Sequence, residues 1–178
     1  MLLAKVYKVS GEYDRALENF KLALKIAKTL NDKLRIAHSY FNLACMYNDV
    51  DNLKKSKMYF IKANKIYRNV NDKIGQSECL LGFGTIYKAK GEMDKAIGSY
   101  RIVYDIAKNL DDQDGIATAL SHLGSTYVLC GKLSKAIECS HKSIKIYKKL
   151  NDDLAIGHNF LLLSHYYRFK SEYLKSSD

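Results

Sequence analysis

One property constrains this chain more than any other: a 40-residue segment that recurs in fixed register. Asn71 to Leu110, moved back by 40 positions, falls on Asn31 to Val70; moved forward, it falls on Asp111 to Leu150. In that register Asp32, Asp72 and Asp112 coincide, as do Tyr47, Tyr87 and Tyr127, Lys55, Lys95 and Lys135, and Ile66, Ile106 and Ile146. A constant period of this size marks a stack of like units, each burying its apolar face on its neighbours. The 178 residues therefore need no single central core.

Each unit divides into two helical patterns. In the second unit Ile36, Tyr40, Leu43, Ala44 and Tyr47 recur at three- and four-residue steps, and Leu53, Ser56, Phe60, Ala63 and Tyr67 repeat the pattern. A short polar break separates them, carrying glycine in the other units at Gly11, Gly91 and Gly131, where a left-handed residue stops a helix. Asp51 stands at that place in the second unit and accepts the conformation less readily, so a looser turn is expected there. Asn31-Asp32, Asn71-Asp72, Asp111-Asp112 and Asn151-Asp152 join the units, and either residue could cap the following helix. Helices of about 16–18 residues follow, each roughly 25 Å long. The whole chain, 1–178, reads as one array: a partial unit 1–30, full units 31–70, 71–110 and 111–150, and a partial unit 151–178 whose second helix opens near Glu172. Neither end carries a polar capping helix, so the expectation is an excerpt of a longer array, with self-association through its ends as one consequence.

Composition narrows the functional classes. Hydrophobic residues make up 47%, proline is absent, and no stretch approaches a membrane span. Met1 to Lys5 is interrupted by charge too soon for a signal peptide, which makes the cytoplasm the expected location and a membrane partner unexpected. Cys45, Cys79, Cys130 and Cys139 form no C-x-x-C pair and have no histidine at zinc-site spacing, so they read as reduced thiols. Gly82-Phe83-Gly84 lies inside a helical pattern without a preceding strand or a following Lys-Ser/Thr, which makes it a packing feature and no phosphate loop.

The third unit, with Leu80, Phe83-Gly84, Tyr87, Gly91, Ala96 and Tyr100, resembles the tetratricopeptide repeat. The second offers Tyr40, Leu43-Ala44, Tyr47, Ser56, Phe60 and Ala63; the fourth offers Leu120, Leu123-Gly124, Tyr127, Gly131 and Ala136. The 40-residue period and the missing closing proline depart from the usual 34-residue unit and resemble a longer-helix subclass, which includes Pins-type adaptors and peptide-pheromone receptors of Gram-positive bacteria. The fold this implies is all-α, a right-handed superhelix of antiparallel helix pairs. Ser140 and Ser143 stand where an aromatic and a small apolar residue are usual, and weaker packing is expected there.

The resemblance also implies that the first helices line a concave surface that binds extended peptides or helices. Helical spacing then selects His38, Phe41, Asn42, Cys45 and Asn48 in the second unit and Glu78, Leu81, Thr85 and Lys88 in the third, with Gly82 leaving an open floor. The fourth contributes Thr118, Ser121, His122, Ser125 and Val128, the last His158, Leu161, His165 and Arg168, and the first Lys5 and Lys8. Lys5, Lys8, Lys88 and Arg168 outweigh Glu78, which favours an acidic ligand. The Lys-Asn-Arg carboxylate clamp of co-chaperone repeats is absent, and of the Pins-type asparagine tetrad only Asn42 is kept.

Catalytic chemistry is not indicated. His158 and His165 lack an acidic partner for a metal, and Cys45 near His38 lacks a third orienting group, so neither a metal nor another cofactor is expected. Against the net charge of +10, the lysines on second helices (Lys21, Lys25 and Lys28; Lys62, Lys65 and Arg68; Lys142, Lys145, Lys148 and Lys149) recur on outward faces without interleaved exposed aromatics. Nucleic acid is therefore the weaker partner class. The reading is a non-enzymatic protein-interaction scaffold for an acidic peptide or helix. The alternatives are a peptide-sensing domain of a larger signalling or transcription protein, or nucleic-acid binding on the convex face.

Overall fold

Seventeen helical residues followed by a three-residue turn make half a period, which is how the repeat reaches 40 residues. The structure, a computed structural model, describes residues 2–175, with side chains described from 6 to 168. In order the helices are α1 (Leu2–Val9), α2 (Tyr13–Thr29), α3 (Lys33–Asp49), α4 (Leu53–Asn69), α5 (Lys73–Ala89), α6 (Met93–Asn109), α7 (Gln113–Leu129), α8 (Leu133–Leu150) and α9 (Asp153–Lys175). Two compact units divide the chain, Met1–Ile86 and Tyr87–Asp178. The first holds α1 to α4 and most of α5; the second holds the last turn of α5 and α6 to α9. No strand occurs among the described residues, and the fold is an all-α tetratricopeptide-type array.

Every turn uses the same backbone device. One residue of each has positive φ: Gly11, Gly91 and Gly131 within repeats, and Asn31, Asn71, Asp111 and Asn151 at the joints. The joint pairs divide the work that either residue could have done. The first residue of the pair is left-handed, while the second caps: Asp32, Asp72, Asp112 and Asp152 each accept from the backbone N–H three residues on, at 2.9–3.0 Å. Asp51 corrects an expectation, since it adopts φ 54° within a fully bonded turn. The Asn52 N–H donates to the Tyr47 carbonyl at 2.8 Å, as the Glu92 N–H donates to Tyr87 at 2.9 Å. The Asn52 side chain caps α4 besides, accepting from the Lys55 N–H at 3.1 Å.

The packing follows the alanine pattern. Ala37, Ala44 and Ala63 let α3 and α4 close on each other, and Phe60, Tyr67, Cys79 and Ile86 fill the space around them. In the second unit Ala96, Ala117, Ala119 and Ala136 are fully buried beside Tyr100, Leu123 and Tyr127. The recurring lysine and tyrosine meet at the end of each helix pair. Arg15 lies over Tyr7 at 5.7 Å, Lys55 over Tyr47 at 5.1 Å, Lys95 over Tyr87 at 5.7 Å and Lys135 over Tyr127 at 5.9 Å.

Two further expectations change. Ser140 and Ser143 do not mark loose packing, because both are completely buried. Gly124 of α7 approaches Ser140 so closely that an added methyl would lie 3.2 Å from its hydroxyl, and the Ser143 hydroxyl donates to the Ala117 carbonyl at 2.9 Å. Small residues are needed where two helices run this close. The break expected before Glu172 is also absent, since α9 continues unbroken to Lys175. With no proline or glycine after Gly157, nothing in the local sequence stops it.

Candidate functional site

Two clefts open on faces formed by first helices, one within each compact unit. In the first unit a cleft of 350 Å³ collects Phe41, Cys45, Asn48, Glu78, Leu81 and Thr85 from the expected set, with Lys8 and Gly82. Its rim holds an ion pair that the spacing did not reveal: Lys8 Nζ lies 2.7 Å from Asp49 Oδ2. Half the positive charge expected from the first repeat is thus neutralised, and the Lys5 side chain lies outside the described residues.

Gly82 is a correction. It does not leave the floor open, because the Phe60 ring fills the space that a Cβ would occupy. Phe41 and Phe83 meet that ring edge-on, each 5.7 Å away. The floor is therefore an aromatic surface supplied by a second helix, in a position sequence reasoning had assigned only to the repeat core. Burial pushes the Cys45 thiol up to about 11, so it lines the cleft as a neutral, weakly polar wall. His38 and Asn42 stand elsewhere. The His38 ring packs edge-on to Tyr67 at 5.6 Å, and the Asn42 amide donates back to the His38 carbonyl at 2.7 Å.

The second unit carries a cleft of 480 Å³ lined by Lys88, Thr118, Ser121, His122, Ser125 and His158, together with Tyr147, Asn159 and two aliphatic residues. Most of its polar groups are already paired. Thr118 and the Tyr147 hydroxyl share a hydrogen bond at 2.9 Å. Ser121 Oγ donates to Asn159 Oδ1 at 2.7 Å, and the Asn159 amide donates to the Ala155 carbonyl at 2.9 Å. Lys88 Nζ donates to Ser125 Oγ at 3.3 Å, and burial lowers its pKa. The His122 ring stacks on Tyr100 at 4.9 Å between centroids. Burial, then the charge of Lys88 and the presence of His158, push it down to about 4. At neutral pH the cleft thus holds a neutral imidazole beside a half-buried ammonium.

The two clefts are variants of one arrangement. Residue 82 packs on the aromatic ring 22 positions earlier, and residue 122 does the same. Where the first is glycine, Phe60 becomes the floor; where the second is histidine, its ring covers Tyr100 and becomes the wall. Val128, Leu161, His165 and Arg168 do not line either cleft, and Leu161 is 63% exposed. Asn159 was missed although it is only 1% exposed. The 40-residue register held the signal, since it aligns Asn159 with Ser39, Cys79 and Ala119, where a longer polar side chain is out of pattern.

Among the described residues no three His, Cys, Asp or Glu side chains stand close enough to hold a metal, and no helix is long and apolar enough to cross a membrane. The second-helix lysines are exposed as expected, but aromatic rings do lie among them. Lys62 sits 5.6 Å from the Tyr40 ring and 5.4 Å from Tyr59, and Lys28 sits 5.8 Å from Tyr40. These tyrosine faces lie under the protein's own lysines, so the interleaving of aromatics and cations that the spacing did not suggest is present here.

No curated protein matches the sequence. Solved structures share the fold at low identity. An aspartyl phosphate phosphatase F from Bacillus subtilis matches at TM-score 0.86 and 15% identity, over 98% of this chain and 46% of that one. A Rap protein complexed with Competence and Sporulation Factor matches at TM-score 0.84 and 18% identity, over 98% and 49%. BtubC (BKLC) from P. vanneervenii matches at TM-score 0.73 and 23% identity, over 85% and 63%. The chain thus spans less than two thirds of the length of each of these proteins. They are tetratricopeptide-type arrays, as this chain is. A family model described as "Uncharacterized protein conserved in bacteria (DUF2225)" matches residues 2–150, and the chain belongs to that family.

Proposed function

We propose that this chain is a non-catalytic interaction scaffold that binds an acidic peptide or helix on the first-helix faces of its repeats. The observation that carries the reading is the second-unit cleft, where Lys88 is half-buried with no carboxylate among the lining residues. A cation held in that state gains more from an anionic partner than a solvated surface lysine does. The first-unit cleft adds an apolar floor at Phe60 with polar rim groups, the usual composition of a pocket for one apolar side chain.

The test is selection from a random peptide library displayed on phage. Enrichment of peptides carrying Asp or Glu, lost with Lys88→Glu, is the expected outcome. Neutral or basic consensus peptides, or acidic ones that bind Lys88→Glu as well as wild type, would overturn the acidic assignment. A second reading, a peptide-sensing domain within a larger signalling protein, is favoured by the likeness to the Rap protein complexed with Competence and Sporulation Factor. A cytoplasmic setting is part of both readings.

A further inference from the structure

The second-unit cleft has a feature that acidic-ligand binding alone does not require: its ammonium and its imidazole act on the same space. We propose that this cleft is a proton-linked carboxylate site, in which one ligand carboxylate bridges Lys88 and His122 and His122 takes up a proton as the carboxylate binds. The proposal rests on the peptide-binding reading above and specifies the group that is read.

The donor inventory selects the ligand chemistry. Ser121, Thr118 and Tyr147 are committed to hydrogen bonds within the cleft, and Ser125 already receives Lys88. What remains is the rest of the Lys88 ammonium and the His122 and His158 imidazoles. Of these Lys88 and His122 act on each other most directly, and both are donors when His122 is protonated. An acceptor-only group with two oxygens fits that pair, and a carboxylate is the simplest such group. None of the ion pairs among the described residues engages Lys88.

The groups around His122 also explain the linkage. Lys88 faces it from α5, Tyr100 stacks on it from α6, Tyr147 lines the cleft from α8 and His158 from α9. The charged and titratable nitrogen groups in that set are cationic or neutral, so the cleft opposes a second positive charge. A bound carboxylate reverses the sign of the local field, and the imidazolium then becomes one of its partners. Because the proton is gained on binding, affinity rises as pH falls through the bound-state pKa towards the free value of about 4. Each unit by which the ligand raises the His122 pKa is worth up to about tenfold in affinity across that window.

Histidine ring resonances of the full chain, followed by NMR, test this with three small probes. Acetyl-glutamate methylamide offers a side-chain carboxylate, acetyl-leucine offers an α-carboxylate, and acetyl-glutamine methylamide offers none. His122→Gln identifies the resonance. The expected result is an upward move of the His122 titration with one or both carboxylates and none with the amide, and affinity at about pH 5 several-fold above that at about pH 7. The carboxylate that binds more tightly identifies the source, side chain or chain terminus. Lys88→Met should abolish the response while leaving the thermal transition in place, and Lys88→Arg should retain it. His122→Gln should still bind, without the pH dependence. An unmoved titration with both carboxylates, equal binding of the neutral amide, or an undiminished response in Lys88→Met would overturn the site. Peptide selection on the same protein would then report separately whether the scaffold reading stands.

Discussion

Lys55 places its ammonium 5.1 Å from the centre of the Tyr47 ring, which also stacks in parallel on Tyr59 at 5.5 Å and 3°. The same pairing of register positions recurs as Arg15 with Tyr7, Lys95 with Tyr87 and Lys135 with Tyr127, which explains why a surface cation repeats as faithfully as a core tyrosine. A double-mutant cycle with Lys55→Gln and Tyr47→Leu should give a coupling of about 0.5–1 kcal/mol. Urea unfolding measures it. Zero coupling would mean that the lysine recurs for solubility or for a partner.

Asp51 bears a left-handed backbone where three other repeats use glycine. The turn is hydrogen-bonded as they are, so the cost resides in the Cβ and nowhere else. Asp51→Gly should raise stability by about 0.5–1 kcal/mol, the steric relief being partly offset by the freedom glycine adds to the unfolded chain. An unchanged or lower transition midpoint would show that the carboxylate has a favourable role in the turn.

Gly82 and Gly98 provide a matched contrast inside helices. A methyl at Gly82 would enter the Phe60 ring, whereas one at Gly98 meets nothing within 4 Å. Gly82→Ala should cost about 1–3 kcal/mol through overpacking, and Phe60→Leu in the same chain should recover part of that loss. Gly98→Ala should gain up to about 1 kcal/mol from helix propensity. Calorimetry on the three variants decides. Equal effects at both glycines would remove Phe60 as the cleft floor.

His122 links stability to pH. Its pKa in the fold is about 4, against an ordinary histidine value of 6.5, so the unfolded chain binds the extra proton first. The contribution is fully present above 6.5 and is lost as pH falls from there towards 4. Its size is at most on the order of 3 kcal/mol. Wild type should therefore lose stability relative to His122→Gln across that window, and the two should run parallel above it. Parallel curves throughout would mean that the ring is solvated or has an acidic neighbour.

The parts that were legible are those the period repeats. Helix pairs, turn positions and alanine contacts could be placed by register, whereas the residues expected on the cleft walls followed from the resemblance and from helical spacing. Asp51 and the serine pair were misjudged because propensity was weighed without the packing around them. Backbone hydrogen bonds hold Asp51 left-handed, and the close approach of Gly124 makes Ser140 the right size. The Gly82 floor was misread for a related reason. Spacing along one helix says which way a glycine faces, but not how far a ring from the neighbouring helix reaches across it.

A constant 40-residue offset by itself determined that the chain is a stack of like units, because a stacked unit meets its neighbours through the same positions each time. The three- and four-residue spacing inside each unit made those units helical. Tertiary structure alone decided what the clefts present. Their character comes from residues that break the period: Gly82 and His122 at one register position, and Asn159 where the others are small. The effect of each depends on the particular ring, hydroxyl or ammonium brought against it, as Phe60 is to Gly82 and Tyr100 and Lys88 are to His122. Repetition can specify a scaffold in one dimension, whereas burial, pairing and pKa arise only where non-repeating side chains meet in three.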